Sequence, residues 1–288
     1  MHRTEVKLAL LLLLASRLPA VDFSGASAME FTKRAVEFGP RPSGSQANLQ
    51  LQAYILAQLK SCKCQVSEDA WTAQTPKGSI AMKNILAKFP GKSGRAIVIT
   101  GHFDTKQFPG RKFVGASDGA SSTGLLLELA RVLTAEPRAD DVYLVFFDGE
   151  EAVREQWEGT DNLYGSRHLA DRWEKDGALG KIKALINVDM IGDKNLNVKP
   201  DSNGNAALNR LVWRTAAELG YAAQFPTDAI SIDDDHMPFV ERGVTAIDLI
   251  DFDYPAWHTD DDTLDKLSAR SLEIVGKVVV ASIRKLEQ

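Results

Sequence analysis

AIVITGHFDT (96–105) is the stretch that decides the fold. Its opening residues are a continuous β-branched run with no polar alternation, the pattern of a strand buried on both faces of a parallel sheet. The run stops on His102 and Asp104, so polar chemistry sits where the strand ends. Downstream, Ser121 to Leu133 reads as helix, Val142 to Phe147 as strand, Tyr164 to Trp173 as helix and Ala184 to Val188 as a buried strand. Residues 205–219 are helical, Val244 to Ile250 is a strand, and Ser268 to Leu286 is a long closing helix. Upstream, QANLQLQAYILAQLK (46–60) has apolar residues at helical spacing after the turn-like Gly39 to Gly44, and Ile85 to Phe89 reads as strand. Strands alternating with helices predict a single α/β domain: a mostly parallel, mixed central sheet flanked by helices. No internal repeat, linker or low-complexity tract divides the chain.

Composition narrows the classes. The 288 residues are 44% hydrophobic and 25% charged, which excludes disordered and collagen-like chains. Lys and Arg number 34 against 39 Asp and Glu, a formal charge of −5, so there is no basic footprint for nucleic acid or an anionic membrane. Two cysteines exclude a disulfide scaffold. Cys62 and Cys64 could close only a strained small ring, have no partner cluster for a metal, and are expected to be unpaired or loosely paired thiols. At the N-terminus, Arg3 and Lys7 precede the apolar run Leu8 to Ala15, and Ala26-Ser27-Ala28 offers small residues for cleavage. Residues 1–28 therefore read as a secretory signal and 29–288 as the mature catalytic domain, a monomer working in a secreted or periplasmic space. The apolar run is much shorter than the roughly 20 residues a membrane span requires.

Four predicted strands lead into acidic or imidazole residues: His102 and Asp104, then Glu150 and Glu151, then Asp189, and through a loop His258. In open α/β sheets such strand ends converge on one crevice. Asp118, in GASDG (115–119) before a helix, is placed to join them. Carboxylates mixed with imidazoles are donors that zinc accepts, with a position left open for substrate. The plainer readings are that Asp118 caps a helix and that Glu150-Glu151 is a solvated loop. For the whole set, buried strands that all end in unpaired carboxylates are costly without a cation.

The ordered series GHFDT (101–105), GASDGASSTG (115–124), FFDGEEA (146–152), LYGSRHLA (163–170), NVDMIG (187–192), DDHMPF (234–239) and WHT (257–259) resembles the zinc-dependent M28 aminopeptidase-like superfamily. Within it the series is most similar to the animal-type glutaminyl-peptide cyclotransferases, from about Phe38 to the C-terminus. The resemblance implies a zinc aminopeptidase-like, phosphorylase/hydrolase-like architecture and an acyltransferase that converts N-terminal Gln of peptides or proteins to pyroglutamate with release of ammonia. It implies one zinc ion held by Asp118, Glu151 and His258, with Glu150 as general acid and base. Asp189 and Asp234 match acidic residues that hydrogen-bond near the reacting centre. Trp157, Tyr254 and Trp257 match an aromatic pocket, with Ile232 and Lys106 fitting more weakly.

The rival within the same architecture is a two-zinc aminopeptidase using His102, Asp118, Glu151, Asp189 and His258, all of which are present. Trp157 ahead of LYGSRHLA, Asp234, and Trp257 directly before His258 favour the cyclase. A non-catalytic binding ectodomain would show eroded ligands, and none is missing. Of the remaining histidines, His236 is expected to be supporting or structural and His168 a surface or packing residue. The acidic run Asp260 to Asp262 reads as a solvated turn or as support for the His258 imidazole.

Overall fold

A computed structural model describes residues 22–288. β3 (Ala96–His102) is buried at every residue and lies between β4 (Asp141–Phe147) and β5 (Ile182–Asp189), both parallel to it. β6 (Ala246–Ile250) extends the parallel block beyond β5. On the other side β2 (Gly78–Phe89) runs antiparallel to β4, and β1 (Gln65–Thr75) antiparallel to β2. The sheet order is β1-β2-β4-β3-β5-β6, the mostly parallel mixed sheet that the alternating pattern predicts.

The period-2 alternation of β3 explains the two layers. Ile97 and Ile99 face a core shared with α1 (Gly25–Glu37), α2 (Gln46–Leu59), α3 (Ala120–Leu133), α5 (Ala206–Glu218) and α7 (Ala269–Leu286). Val98 faces the opposite core, where α4 (Tyr164–Lys175) contributes Leu169 and Trp173 and the one-turn α6 (Met237–Val240) contributes Phe239. Helix starts follow their caps: the side chains of Ser45, Asn205 and Ser268 accept first-turn N–H groups of α2, α5 and α7. α1 and α3 cross closely at Gly124, where an added Cβ would lie 2.1 Å from Thr32 Oγ1 and 2.5 Å from the Ala28 carbonyl.

Three features go beyond the sequence expectations. β1 exists, β2 begins at Gly78 rather than Ile85, and α1 runs through the expected cleavage point. Residues 1–21, which carry the charged and apolar parts of the expected signal, lie outside the described residues. Residues 23–28 pack as part of the domain. Ser24 caps α1, Phe23 is buried against Gly276 of α7, and Ala28 is fully buried under α3. Among the described residues, no helix is long and apolar enough to cross a membrane.

Candidate active site

The C-terminal ends of the parallel strands bring the expected residues together. His102 Nε2 lies 3.2 Å from Asp118 Oδ1 and 3.1 Å from Asp189 Oδ1. His258 Nε2 lies 3.4 Å from Asp118 Oδ2 and 3.2 Å from Glu151 Oε1. Two triads result, His102–Asp118–Asp189 and Asp118–Glu151–His258, each with its donor atoms within 4.8 Å of one another. Asp118 belongs to both.

Local structure leaves these side chains available. α3 is capped by Gly119 with no side-chain hydrogen bond, so Asp118 is not a helix cap. Gly119 has φ +84°, and a Cβ there would come within 2.6 Å of the Asp104 carbonyl and 3.0 Å of His102 Cε1. Glu150 and Glu151 are 6% and 5% exposed, which replaces the solvated-loop reading with a buried pair. Asp104 holds their loop by accepting the N–H groups of Glu150 (3.2 Å) and Glu151 (3.4 Å). His258 and Met190, beside Asp189, sit at φ 53° and 46°. Left-handed backbone at such residues costs about 1–3 kcal/mol each, and here it turns the His258 imidazole toward Asp118 and Glu151 and places Met190 in the crevice wall.

Electrostatics mark the floor as unfinished without a cation. Burial pushes Glu150 well above the usual carboxylate range, and the neighbouring Glu151 adds to it. Burial likewise raises Glu151 and Asp234, and takes Asp189 up to about 7. Burial opposes ionisation of Asp118 too, but the His102 hydrogen bond and the charges of His258, His102 and Arg41 hold it below its ordinary value. For His258, burial lowers the affinity for a proton, and Glu151 and Asp118 more than reverse that. His102 Nδ1, Asp118 Oδ2 and Glu151 Oε2 are buried and find no hydrogen-bond partner among the described residues. Carboxylate and imidazole groups gathered in two buried triads that share Asp118, whose Oδ2 has no hydrogen-bond partner among the described residues, are the donor set a divalent metal completes.

The crevice above this floor has a volume of about 210 Å³, and its walls include Glu150, Trp157, Asp189, Ile232, Asp234 and Trp257. Trp257 stacks on His258 with ring centroids 4.4 Å apart, and Phe252 lies 4.7 Å from Trp257. Tyr254 departs from the expectation. It does not line the crevice but is 4% exposed and donates its hydroxyl to Asp262 Oδ1 at 2.7 Å. Phe252, two residues earlier, occupies the wall instead.

Asp262 also departs from its reading. It is fully buried and accepts the N–H groups of Ser117 (2.8 Å) and Asp118 (3.1 Å), so it braces the Asp118 loop rather than the imidazole. Asp260 and Asp261 remain exposed. Arg41 had no sequence signal beyond its turn between two prolines. It is fully buried, donates Nε to the Phe103 carbonyl (2.8 Å), and donates Nη2 to the carbonyls of Gly115 (3.0 Å) and Asp118 (3.4 Å). Burial lowers its pKa to about 10, which keeps it charged at neutral pH. Lys106 is buried and donates to the Ala152 carbonyl at 3.0 Å, with Glu151 3.9 Å away. His236 pairs with Asp201 at 2.8 Å, and His168 stacks on Trp71 at 4.4 Å, as supporting and packing residues respectively. Cys62 and Cys64 are both free thiols.

This combination of fold and shared-carboxylate triads defines a class, the metal-dependent exopeptidase-like α/β proteins. The family model described as Peptidase family M28 matches residues 84–283. A glutaminyl-peptide cyclotransferase-like protein of Bos taurus is 32% identical over 83% of this chain and 70% of its own length. Among solved structures, an Acidobacteriales bacterium glutaminyl cyclase superposes with TM-score 0.90 at 39% identity, covering 95% of this chain and 98% of that one. A leucine aminopeptidase precursor from Bacteroides thetaiotaomicron superposes with TM-score 0.84 at 25% identity, over 93% and 99% of the two chains. The chain belongs to peptidase family M28 and, within it, to the glutaminyl-peptide cyclotransferases.

Proposed function

We propose that the protein is a zinc-dependent glutaminyl-peptide cyclotransferase acting on peptide or protein N-termini that bear Gln. One observation carries this reading: the buried carboxyl of Glu150 shares a small crevice with a three-ligand metal triad and with three half-exposed aromatic rings. In the reaction, the α-amine bonds to the side-chain amide carbon, the C–N bond to the amide nitrogen breaks, and ammonia leaves. Zinc held by Asp118, Glu151 and His258 supplies Lewis acidity to the amide carbonyl when bound. Glu150 takes a proton from the attacking amine and returns it to the departing nitrogen, so no net proton is consumed. Asp189 and Asp234 are acceptors for the remaining amine and amide hydrogens. Trp157, Ile232, Phe252 and Trp257 form apolar walls that fold the Gln side chain back onto its own amine and exclude water.

A second reading rests on one specific feature. The His102–Asp118–Asp189 triad is as compact as the first, which suits the two-zinc aminopeptidase. Metal stoichiometry with a paired assay separates the two. One zinc per chain with ammonia released from a Gln-peptide supports the cyclase, and two zincs with free amino acid released from a Leu-amide would sink it. The buried positions of Phe23 and Ala28 favour a secretory leader that ends before Asp22, delivering a monomer to a secreted or periplasmic space. N-terminal sequencing of exported protein checks that boundary; a start at Met29 overturns it.

A further inference from the structure

The His258 imidazole is held by neighbouring rings rather than by a hydrogen bond on its far side. Its Nε2 faces Glu151 and Asp118 at 3.2 and 3.4 Å, and among the described residues its other ring nitrogen has no hydrogen-bond partner. A metal-binding histidine ordinarily gives that second nitrogen to a carboxylate or carbonyl, which fixes the ring. Here aromatic contacts take that place. Trp257 stacks on the imidazole with centroids 4.4 Å apart, and Phe108 and Phe113 meet it edge-on at 5.4 and 5.7 Å, with interplanar angles of 76° and 84°.

Arg111 ties this cage to the backbone. Phe108-Pro109-Gly110-Arg111 is a tight turn, in which Arg111 N–H donates to the Phe108 carbonyl at 3.2 Å and Gly110 takes φ 75° behind the proline. The turn folds the guanidinium back over the Phe108 ring, 4.4 Å from its centroid. From there Nη2 donates to the His258 carbonyl at 2.9 Å, and Nε donates to Asp260 Oδ1 at 3.0 Å. One side chain thus grips the carbonyl of a residue in left-handed backbone and backs a ring that touches its imidazole. The exposed ion pair with Asp260 is worth little by itself. Arg111 is exposed and is not part of the crevice wall, so it does not meet substrate.

We propose that Arg111 is a positioning residue for the metal: by clamping the His258 backbone and the Phe108 ring, it aims Nε2 at the Asp118–Glu151 carboxylates before an ion arrives. The inference rests on the zinc reading of the Asp118–Glu151–His258 triad. The sign of the effect separates positioning from charge. A fixed cation near the triad opposes a divalent ion, so an Arg111 acting through its charge alone would weaken zinc binding, and its removal would tighten it. An Arg111 that holds His258 does the opposite.

Chelator-stripped Arg111→Met is expected to bind zinc about tenfold more weakly than stripped wild type in competition with a chelating indicator, the scale for a group that orients a metal ligand. The thermal midpoint of the metal-free protein should stay at the wild-type value, because the side chain is exposed. Arg111→Lys keeps the charge but cannot reach the His258 carbonyl and Asp260 while covering the Phe108 ring, and is expected to lose affinity several-fold. Zinc binding by Arg111→Met that equals or exceeds wild type overturns the proposal, and so does an Arg111→Lys that binds as wild type. A weaker affinity accompanied by a fallen metal-free midpoint also overturns it, since the loss is then general destabilisation. Should the wild type take up no zinc, the zinc reading fails alone, and NMR relaxation of the His258 imidazole in the same proteins still tests the clamp. A ring that is rigid in wild type and mobile in Arg111→Met supports it, and equal mobility overturns it.

Discussion

In the floor of the crevice, His102, Asp118, Glu150, Glu151, Asp189 and Asp234 are all less than a tenth exposed. At its rim, Trp157, Phe252 and Trp257 are 37%, 41% and 40% exposed. The floor concentrates like charges where desolvation is expensive, and a network beneath it does the holding: Arg41 on four carbonyls, Asp104 on two N–H groups, Asp262 on two more. The rim leaves large apolar rings in contact with water, which a fold does not need and a substrate can use. The two regions therefore answer to different measurements. Changes in the floor should appear in kcat, metal content or stability, and changes at the rim in KM.

The largest effect tests the floor. Glu150→Gln keeps shape and removes the proton carrier, so cyclisation should fall by about 10²–10⁴-fold, the usual worth of general acid–base catalysis. Metal content should hold, because Glu150 belongs to neither triad. Ammonia release and metal analysis on one preparation check both halves; retained turnover removes Glu150 from its role.

Arg41→Met is next and tests the scaffold beneath the floor. It strips a buried charge and leaves several carbonyls without donors, beside Asp118, Asp104 and Asp262. Breaking such an arrangement is expected to cost about 3–5 kcal/mol of stability, read as the urea midpoint. A loss below about 1 kcal/mol, the level of an exposed ion pair, would mean that the Asp118 loop holds itself.

At the rim, Trp257→Ala should raise KM several-fold with little change in kcat. It removes the ring that stacks on His258 and packs near Phe252, an aromatic contact worth about 0.5–1.5 kcal/mol beyond area burial. Steady-state kinetics on a Gln-peptide make the split visible. A fall in kcat alone would move Trp257 from rim to floor.

The same division explains what the sequence made legible. The parallel core and its strand-end residues were readable because β3 to β6 are apolar runs that end abruptly in His102, Glu150-Glu151 and Asp189. β1 was not, because QVSEDAWTAQT is an edge strand with only Asp69 and Ala73 buried, and water on both faces erases the period. α1 was hidden by its own small residues. Gly25 and Ala28 permit close helix crossings, and the same residue types mark a signal cleavage site. Arg41 and Asp262 support the floor through backbone groups, and no spacing of side chains announces a bond to a carbonyl or an N–H.

The finest distinction lies between two aromatic residues in DFDYP (251–255). The resemblance favoured Tyr254 for the pocket, but spacing alone does not say which ring faces the crevice. The backbone places Phe252 on the wall and turns Tyr254 down to Asp262, which braces Asp118. Phe252→Leu is therefore expected to raise KM modestly and leave the thermal midpoint nearly unchanged. Tyr254→Phe is expected to do the reverse, losing about 0.5–1.5 kcal/mol for one buried hydrogen bond while KM stays at the wild-type value. Asp262 would keep its backbone donors in that variant, so the floor should relax without opening. Thermal denaturation and KM measured on both variants decide the assignment. If Tyr254→Phe raises KM at constant stability, the tyrosine reaches substrate and belongs to the rim after all.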